Sequence, residues 1–289
     1  MSDPVHEDAQ AWPAPAKLNL FIHVLGRRDD GYHDIQTLFQ FLDFGDRLTF
    51  HRRDDGEMQL SGDLAEVPVD ENLVMRAAQA LRSRVGRDDL PGVDIQLEKR
   101  IPAQGGLGGG SSDAATTLHA LNRLWSLKLS EEELAEIGLG LGSDVPVFVH
   151  GQAAWAEGRG ERLTAVADLP EPCFLVVKPD CAVSTGEIYN AEELIRDSAV
   201  IQLQDYLRQG GRNDFQPVVA ARYPAVAEAL RWLAPYGNPR LTGTGACVFL
   251  ALDDAALANE LLRHLPENWQ GFYARACNQS PLRERLGAD

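Results

Sequence analysis

Pro102-Ala103-Gln104-Gly105-Gly106-Leu107-Gly108-Gly109-Gly110-Ser111-Ser112 decides the reading of this chain. Five glycines fall within six positions, two serines follow, and a helix-forming stretch begins directly after them. Glycine loses more backbone freedom on folding than any other residue, so such density is costly. A chain accepts that cost where backbone must turn through positive φ or lie against a ligand. A glycine loop feeding a helix start offers unpaired N–H groups and the positive end of a helix dipole, and together these suit phosphate. A flexible surface turn is the plainer alternative, but linkers rarely run straight into an amphipathic helix. Two common phosphate loops are excluded. A Walker loop needs Lys-Ser or Lys-Thr after its last glycine, where Ser111 and Ser112 stand here, and the dinucleotide pattern fails because Ser111 occupies its third glycine position.

Working outward, the chain is long enough at 289 residues for two modest domains. A hydrophobic fraction of 44% fits a globular protein rather than a disordered one. The formal charge is −16, from 27 Lys and Arg against 43 Asp and Glu, with no basic cluster. That argues against nucleic acid and membrane surfaces as partners, so an anionic ligand must be held by local geometry. Cys173, Cys181, Cys247 and Cys277 form no metal-binding or redox pattern and read as free thiols, which suit the cytoplasm. The leader Met1–Asp8 is acidic, unlike a signal peptide, and no stretch approaches the length of a membrane span.

Ala16, Leu18, Leu20, Ile22 and Val24 alternate with Lys17, Asn19, Phe21 and His23, which predicts a strand with one buried face. Lys17 and Asn19 then share the opposite face, one pleat repeat apart. A turn at 28–33 leads to strand over 35–50, with a break expected at Gly45-Asp46. Asn72 is placed to cap a helix reaching about Val85, and Val93–Leu97 reads as the strand entering the glycine loop. Beyond the loop a helix is expected from about Ser111 to Trp125, then another behind a Ser130/Glu133 capping box. Ser143-Asp144 leads a short apolar segment. After a break at Pro170–Pro172 come a strand over 174–177, helices near 187–196 and over 223–234, a strand over 246–252, a helix over 254–265 and a strand over 272–277. That closing pattern fits a small α+β sandwich.

Three features bear on whether phosphate is moved or merely held. Lys17 reads as a solvent-facing lysine or as a cation beside phosphate. Asp144 reads as a helix cap or as a base, and Leu241-Thr242-Gly243-Thr244-Gly245-Ala246 as an ordinary tight turn or a second ligand loop. Together they supply what phosphoryl transfer requires: positioned phosphates, a cation near the developing charge, and a group that takes the proton of the attacking hydroxyl.

Pro15-Ala16-Lys17-Leu18-Asn19-Leu20, the glycine run and the 241–249 segment together resemble the three motifs of the GHMP small-molecule kinases. Asp30-Gly31-Tyr32-His33, the 38–42 run and Asp144–Phe148 resemble the branch of that family whose acceptor is a methylerythritol unit carried on cytidine diphosphate, in non-mevalonate isoprenoid precursor synthesis. The similarity runs from about Trp12 to about Leu286. It implies a two-domain α+β fold, with a ribosomal protein S5 domain 2-like N-terminal domain over residues 1–168 and a ferredoxin-like C-terminal domain over 169–289. It implies ATP as co-substrate with Mg²⁺, and an active site in the cleft between domains.

By the same resemblance Lys17 and Asp144 match the catalytic pair, and residues 102–112, with Asn72 and Lys99, match the nucleotide site. Asn19, Tyr32, His33, Thr185, Tyr189 and Thr244 match the acceptor site, with Tyr32 and Tyr189 as the aromatic walls for cytosine. Asp113 departs from relatives that carry asparagine, placing negative charge near the phosphates. No residue is dedicated to Mg²⁺, and either a monomer or a homodimer is compatible with the sequence. Homoserine or mevalonate kinases, or a related decarboxylase, are the nearest rival readings; they would not be expected to carry the Tyr32-His33 pair, and their acceptors have no cytosine to stack on. A silent nucleotide-binding scaffold is the rival from another class, and it would be expected to have lost Lys17 or Asp144. A serine hydrolase is disfavoured because no Gly-x-Ser-x-Gly elbow is present.

Overall fold

The computed structural model describes residues 11–64, 67–87 and 89–287; the acidic leader lies outside the described residues. The strands β1 (Trp12–Arg27) and β2 (His33–Arg53) form a long antiparallel pair. The alternation in β1 predicts one buried face, but both are covered. Ala16, Leu18 and Leu20 pack with Leu107, Phe174 and Phe249, and on the other face Lys17 and Asn19 are buried too. The break expected at Gly45-Asp46 is a register shift instead, since Pro15 pairs with Gly45 while Lys17 already pairs with Phe41. Gly45 is required there, because a Cβ would strike the Ala14 carbonyl. Asp46 turns inward and accepts from the Arg100 and Ile101 N–H groups.

The strand β2 is shared between the two halves of the chain. It pairs with β4 (Gly92–Glu98) through its second half, and β3 (Met58–Gly62) lies parallel to β4. The hairpin β5 (Ala154–Glu157) and β6 (Arg162–Ala165) joins β2 at Thr37–Phe39. At Phe41 and Leu42, β2 also meets β10 (Gln270–Cys277). From there the sheet continues through β7 (Cys173–Lys178), β9 (Val248–Ala251) and β8 (Arg240–Leu241), all antiparallel. In chain order those four strands lie last, first, third, second, which is the ferredoxin-like arrangement expected of the C-terminal half.

The helices follow their sequence signals closely in the first half. α1 (Leu73–Val85) is capped by Asn72, whose side chain accepts from Val74 N, and it buries Val74, Ala77, Ala78 and Leu81. α2 (Gly109–Leu124) starts two residues earlier than expected, with Gly108 as its N-cap. α3 (Glu131–Leu141) has the Ser130/Glu133 capping box. The segment after Asp144 forms the short α4 (Val145–His150), with proline in its first turn, where the missing N–H costs nothing.

In the second half the expected helix over 187–196 is a correction. Only α5 (Thr185–Tyr189) forms; past it the chain turns, and the Arg196 guanidinium folds back onto the Tyr189, Ala191 and Leu194 carbonyls, competing with helical bonding there. α6 (Leu203–Gln209) and α7 (Phe215–Arg222) precede α8 (Pro224–Leu233), α9 (Ala255–Arg263) and α10 (Pro281–Gly287). α8 and α9 bury Val226, Ala229, Leu233, Ala258 and Leu261 in one cluster with Leu175, Val248 and Leu250 of the sheet. Among the described residues no helix is long and apolar enough to cross a membrane.

Candidate active site

Lys17 projects from β1 into the space before α4. Its ammonium lies 3.3 Å from Asp144 Oδ2, donates to Asn19 Oδ1 at 2.6 Å and to the Gly106 carbonyl at 3.3 Å, and stands 5.0 Å from the Phe39 ring centre. The solvent-facing reading of Lys17 is therefore wrong. Asp144 precedes α4 but makes no capping hydrogen bond, its carboxylate being turned to Lys17 instead. Asn19 is fixed in turn, since its Nδ2 donates to Thr37 Oγ1 at 3.0 Å and its backbone N–H to Thr242 Oγ1 at 3.0 Å. The Lys17 backbone N–H donates to Leu107 O at 3.0 Å. Segments from three distant parts of the sequence thus meet at one ammonium.

The glycine loop borders a cavity of about 420 Å³ lined by residues 102–111 together with Asn72 and Lys99. Gly106 and Gly108 both adopt φ of +75°, which side-chain-bearing residues resist. Gly108 caps α2 without a side chain, so the N–H groups of the first helical turn meet the cavity unscreened. Some of the glycine cost serves protein contact rather than ligand: a Cβ on Gly106 would strike the Thr242 carbonyl, and one on Gly105 the Cys247 sulfur. Ser111 lines the cavity, whereas Ser112 is fully buried and does not.

Lys99 reaches the cavity wall already engaged. It pairs with Asp46 and, at 2.8 Å, with Asp113 Oδ2, and these two carboxylates outweigh burial in raising its pKa. Burial pushes Asp113 up to about 7, Lys99 works against that shift and Asp46 adds to it. The Asp113 carboxyl is thus held against Lys99 in the cavity wall, where burial favours its protonated form.

A second cavity of about 530 Å³ is lined by Tyr32, His33, Thr185, Tyr189 and residues at the end of α3. Tyr32 is 57% exposed, with the Arg159 guanidinium 4.9 Å from its ring centre. The Tyr189 ring lies 5.1 Å from His33 and 4.8 Å from Phe215. Arg196 Nε donates to His33 Nε2 at 3.1 Å, and burial followed by the Arg196 and Arg27 charges lowers the His33 pKa. Burial raises the Tyr189 hydroxyl, and the Asp144 charge raises it further.

A third cavity of about 390 Å³ contains Lys17, Asn19, Asp144 and Thr244, the last bonded through its hydroxyl to Thr185 at 2.9 Å. It shares Gly106, Gly108 and Ser111 with the first cavity, and Arg159, Thr185 and Tyr189 with the second. The three form one groove, with the Lys17–Asp144 pair between its glycine-loop end and its aromatic end. Thr37, Phe39, Thr242, Arg159 and Arg196 support this groove and were missed as site residues. Phe39 and Thr242 lay inside quoted motifs, while the two arginines carry no local signal.

Among known proteins, the family model described as the GHMP kinases N terminal domain matches residues 72–152, and the GHMP kinases C terminal model matches 191–271. The chain is 54% identical over 274 residues to a 4-diphosphocytidyl-2-C-methyl-D-erythritol kinase of Pseudomonas aeruginosa, covering 95% of this chain and 96% of the other. A kinase of the same name from Halorhodospira halophila is 51% identical, covering 94% of each. A crystal structure of 4-(cytidine 5'-diphospho)-2C-methyl-D-erythritol kinase superposes with a TM-score of 0.80 at 30% identity, covering 92% of this chain and 99% of that one. The Methanococcus jannaschii mevalonate kinase shares the fold at a TM-score of 0.68 and 17% identity, covering 94% of this chain and 100% of that one. Identity of that order over nearly the whole length, on the same two-part fold, makes this chain a member of the 4-diphosphocytidyl-2-C-methyl-D-erythritol kinase family of the GHMP kinases.

Proposed function

We propose that the chain transfers the γ-phosphate of ATP to the 2-hydroxyl of 4-diphosphocytidyl-2-C-methyl-D-erythritol, giving the 2-phosphate and ADP in non-mevalonate isoprenoid precursor synthesis. The observation that carries this reading is the place of Lys17 and Asp144, between a loop suited to phosphate and a pocket walled by Tyr32 and Tyr189. ATP lies with its phosphates on the 105–112 loop, near Asn72 and Lys99, and cytosine lies against Tyr32. Asp144 takes the proton of the acceptor hydroxyl; that oxygen bonds to the γ-phosphorus as the bond to ADP breaks. Lys17 supplies positive charge beside the reacting oxygens, and Asn19 holds the ammonium in place. His33, Thr185 and Thr244 supply polar contacts to the acceptor.

Among the described residues no group of three or more His, Cys, Asp or Glu converges as a metal cage. The hard oxygen of Ser111, at the border of the two cavities, fits a Mg²⁺ ion otherwise held by phosphates and water, as this ion prefers. When bound, the ion neutralises phosphate charge.

We place the division between the two domains at residues 168 and 169, ahead of β7. The groove is built from one chain, so a monomer and a homodimer serve alike. Free thiols fit a cytoplasmic setting.

The test is ADP release by the purified protein with Mg²⁺ and ATP, offering the cytidyl acceptor, homoserine or mevalonate. Turnover with the cytidyl acceptor alone is expected. Nucleotide binding without turnover on any acceptor would overturn the kinase reading.

A further inference from the structure

We propose that Arg159 binds the diphosphate of the acceptor, an inference that rests on the acceptor named above. Arg159 sits at the tip of the β5–β6 hairpin, between Gly158 and Gly160 at φ of +70° and +104°. The tip is pinned on three sides. Ile35 N donates to Gly158 O at 2.7 Å, Gly160 N to Glu157 O at 3.1 Å, and Arg159's own N–H to Glu161 Oε2 at 2.6 Å. A held backbone therefore presents a long cationic side chain to the groove.

That side chain lies where a diphosphate must pass. Arg159 borders both the aromatic cavity and the cavity holding Lys17 and Asp144. In the acceptor the diphosphate joins the ribose of the cytidine, whose base lies at Tyr32, to the polyol, at Asp144. The guanidinium covers one face of the Tyr32 ring from 4.9 Å, and the ring is exposed enough to offer its other face to a base.

The charge of Arg159 is also uncommitted. Among the described residues its guanidinium makes no ion pair and no hydrogen bond, although Asp30 feels its charge. Lys17, the other cation of the central cavity, is already engaged by Asp144, Asn19 and Gly106. In a chain of formal charge −16, an acceptor with two phosphates needs a local cation, and a guanidinium fork matches phosphate oxygens in pairs.

The test compares the wild type with R159Q and R159K, by calorimetric titration with CDP and with cytidine while a non-hydrolysable ATP analogue fills the nucleotide cavity. The wild type is expected to bind CDP roughly 10- to 100-fold more tightly than cytidine, as for loss of a charge-assisted hydrogen bond. R159Q should lose most of that preference, R159K should keep part of it, and the KM for ATP should hold in both. An equal preference in wild type and R159Q overturns the assignment, as does a wild type that does not distinguish the two ligands. Loss of cytidine binding in R159Q also counts against it, since that marks damage to the Tyr32 wall. A wild type that binds neither ligand overturns the acceptor reading itself, which separates that failure from a failure of Arg159.

Discussion

Lys17 Nζ and Asp144 Oδ2 lie 3.3 Å apart, with the lysine side chain 4% exposed and the aspartate 34%. The asymmetry orders the pair. The carboxylate is reachable from the groove, while the ammonium sits behind it and is fixed by Asn19 and Gly106.

Asp144→Asn keeps the shape and removes the carboxylate proposed as the base. Turnover is expected to fall by roughly 10²- to 10⁴-fold, with ATP affinity within about twofold of the parent because the phosphate loop is untouched. Steady-state kinetics and nucleotide titration on the same preparation check this; equal loss of both would assign Asp144 to binding or folding instead.

Gly108→Ala tests the close approach at the start of α2. A Cβ there would come within 2.6 Å of Phe148 Cζ and 3.2 Å of Lys17 Cε, at a φ of +75° that alanine resists. Overpacking of this kind costs about 1–3 kcal/mol. The urea midpoint should drop, and turnover should fall beyond what stability explains because Lys17 is displaced.

The first half was legible because its signals are local. The Asn72 cap, the Ser130/Glu133 box and the glycine run each dictate structure within a few residues. The second half was less so, because a side chain of the expected helix competes with its own backbone: Arg196 takes the Tyr189 and Ala191 carbonyls, and the chain leaves helical geometry after α5. In the site, Lys17 and Asp144 gain meaning as a pair only from the family resemblance, since each alone reads as well as a surface lysine or a helix cap. Asp46 carries no site signal in sequence, and it meets Lys99 behind the cavity wall only because β2 and the strand end at 99 lie side by side.

Asn72→Ala and Asn72→Ser separate two roles of one side chain. Its Oδ1 caps α1, while the residue also borders the glycine-loop cavity proposed to take ATP. Alanine should cost about 1 kcal/mol of stability and serine much less. Thermal melts report the cap; a KM for ATP raised in both variants reports the nucleotide contact, and a KM unchanged in both would leave Asn72 a cap only.

His119 carries an acid-side prediction. It is buried in α2, and burial is the main cause of its lowered pKa; the hydrogen bond to the Val149 carbonyl and the Glu131 charge oppose that, while Arg283 and His150 add to it. The unfolded chain thus takes up the proton more readily, so stability is full above the ordinary histidine value of 6.5 and is lost as pH falls below it. His119→Gln should flatten that slope in urea titrations across the window, though His23 and His33, lowered in the same direction, keep it from vanishing.

The pairing of β2 with β10 has a kinetic meaning. Leu42 opposite Ala276 and Phe41 opposite Cys277 stitch the two halves of the chain into one sheet. Swinging the halves apart would break that ladder, which opposes a jaw-like opening. A frame tied in this way predicts that ATP and the acceptor enter in random order, and product-inhibition patterns showing an obligatory first ligand would overturn that.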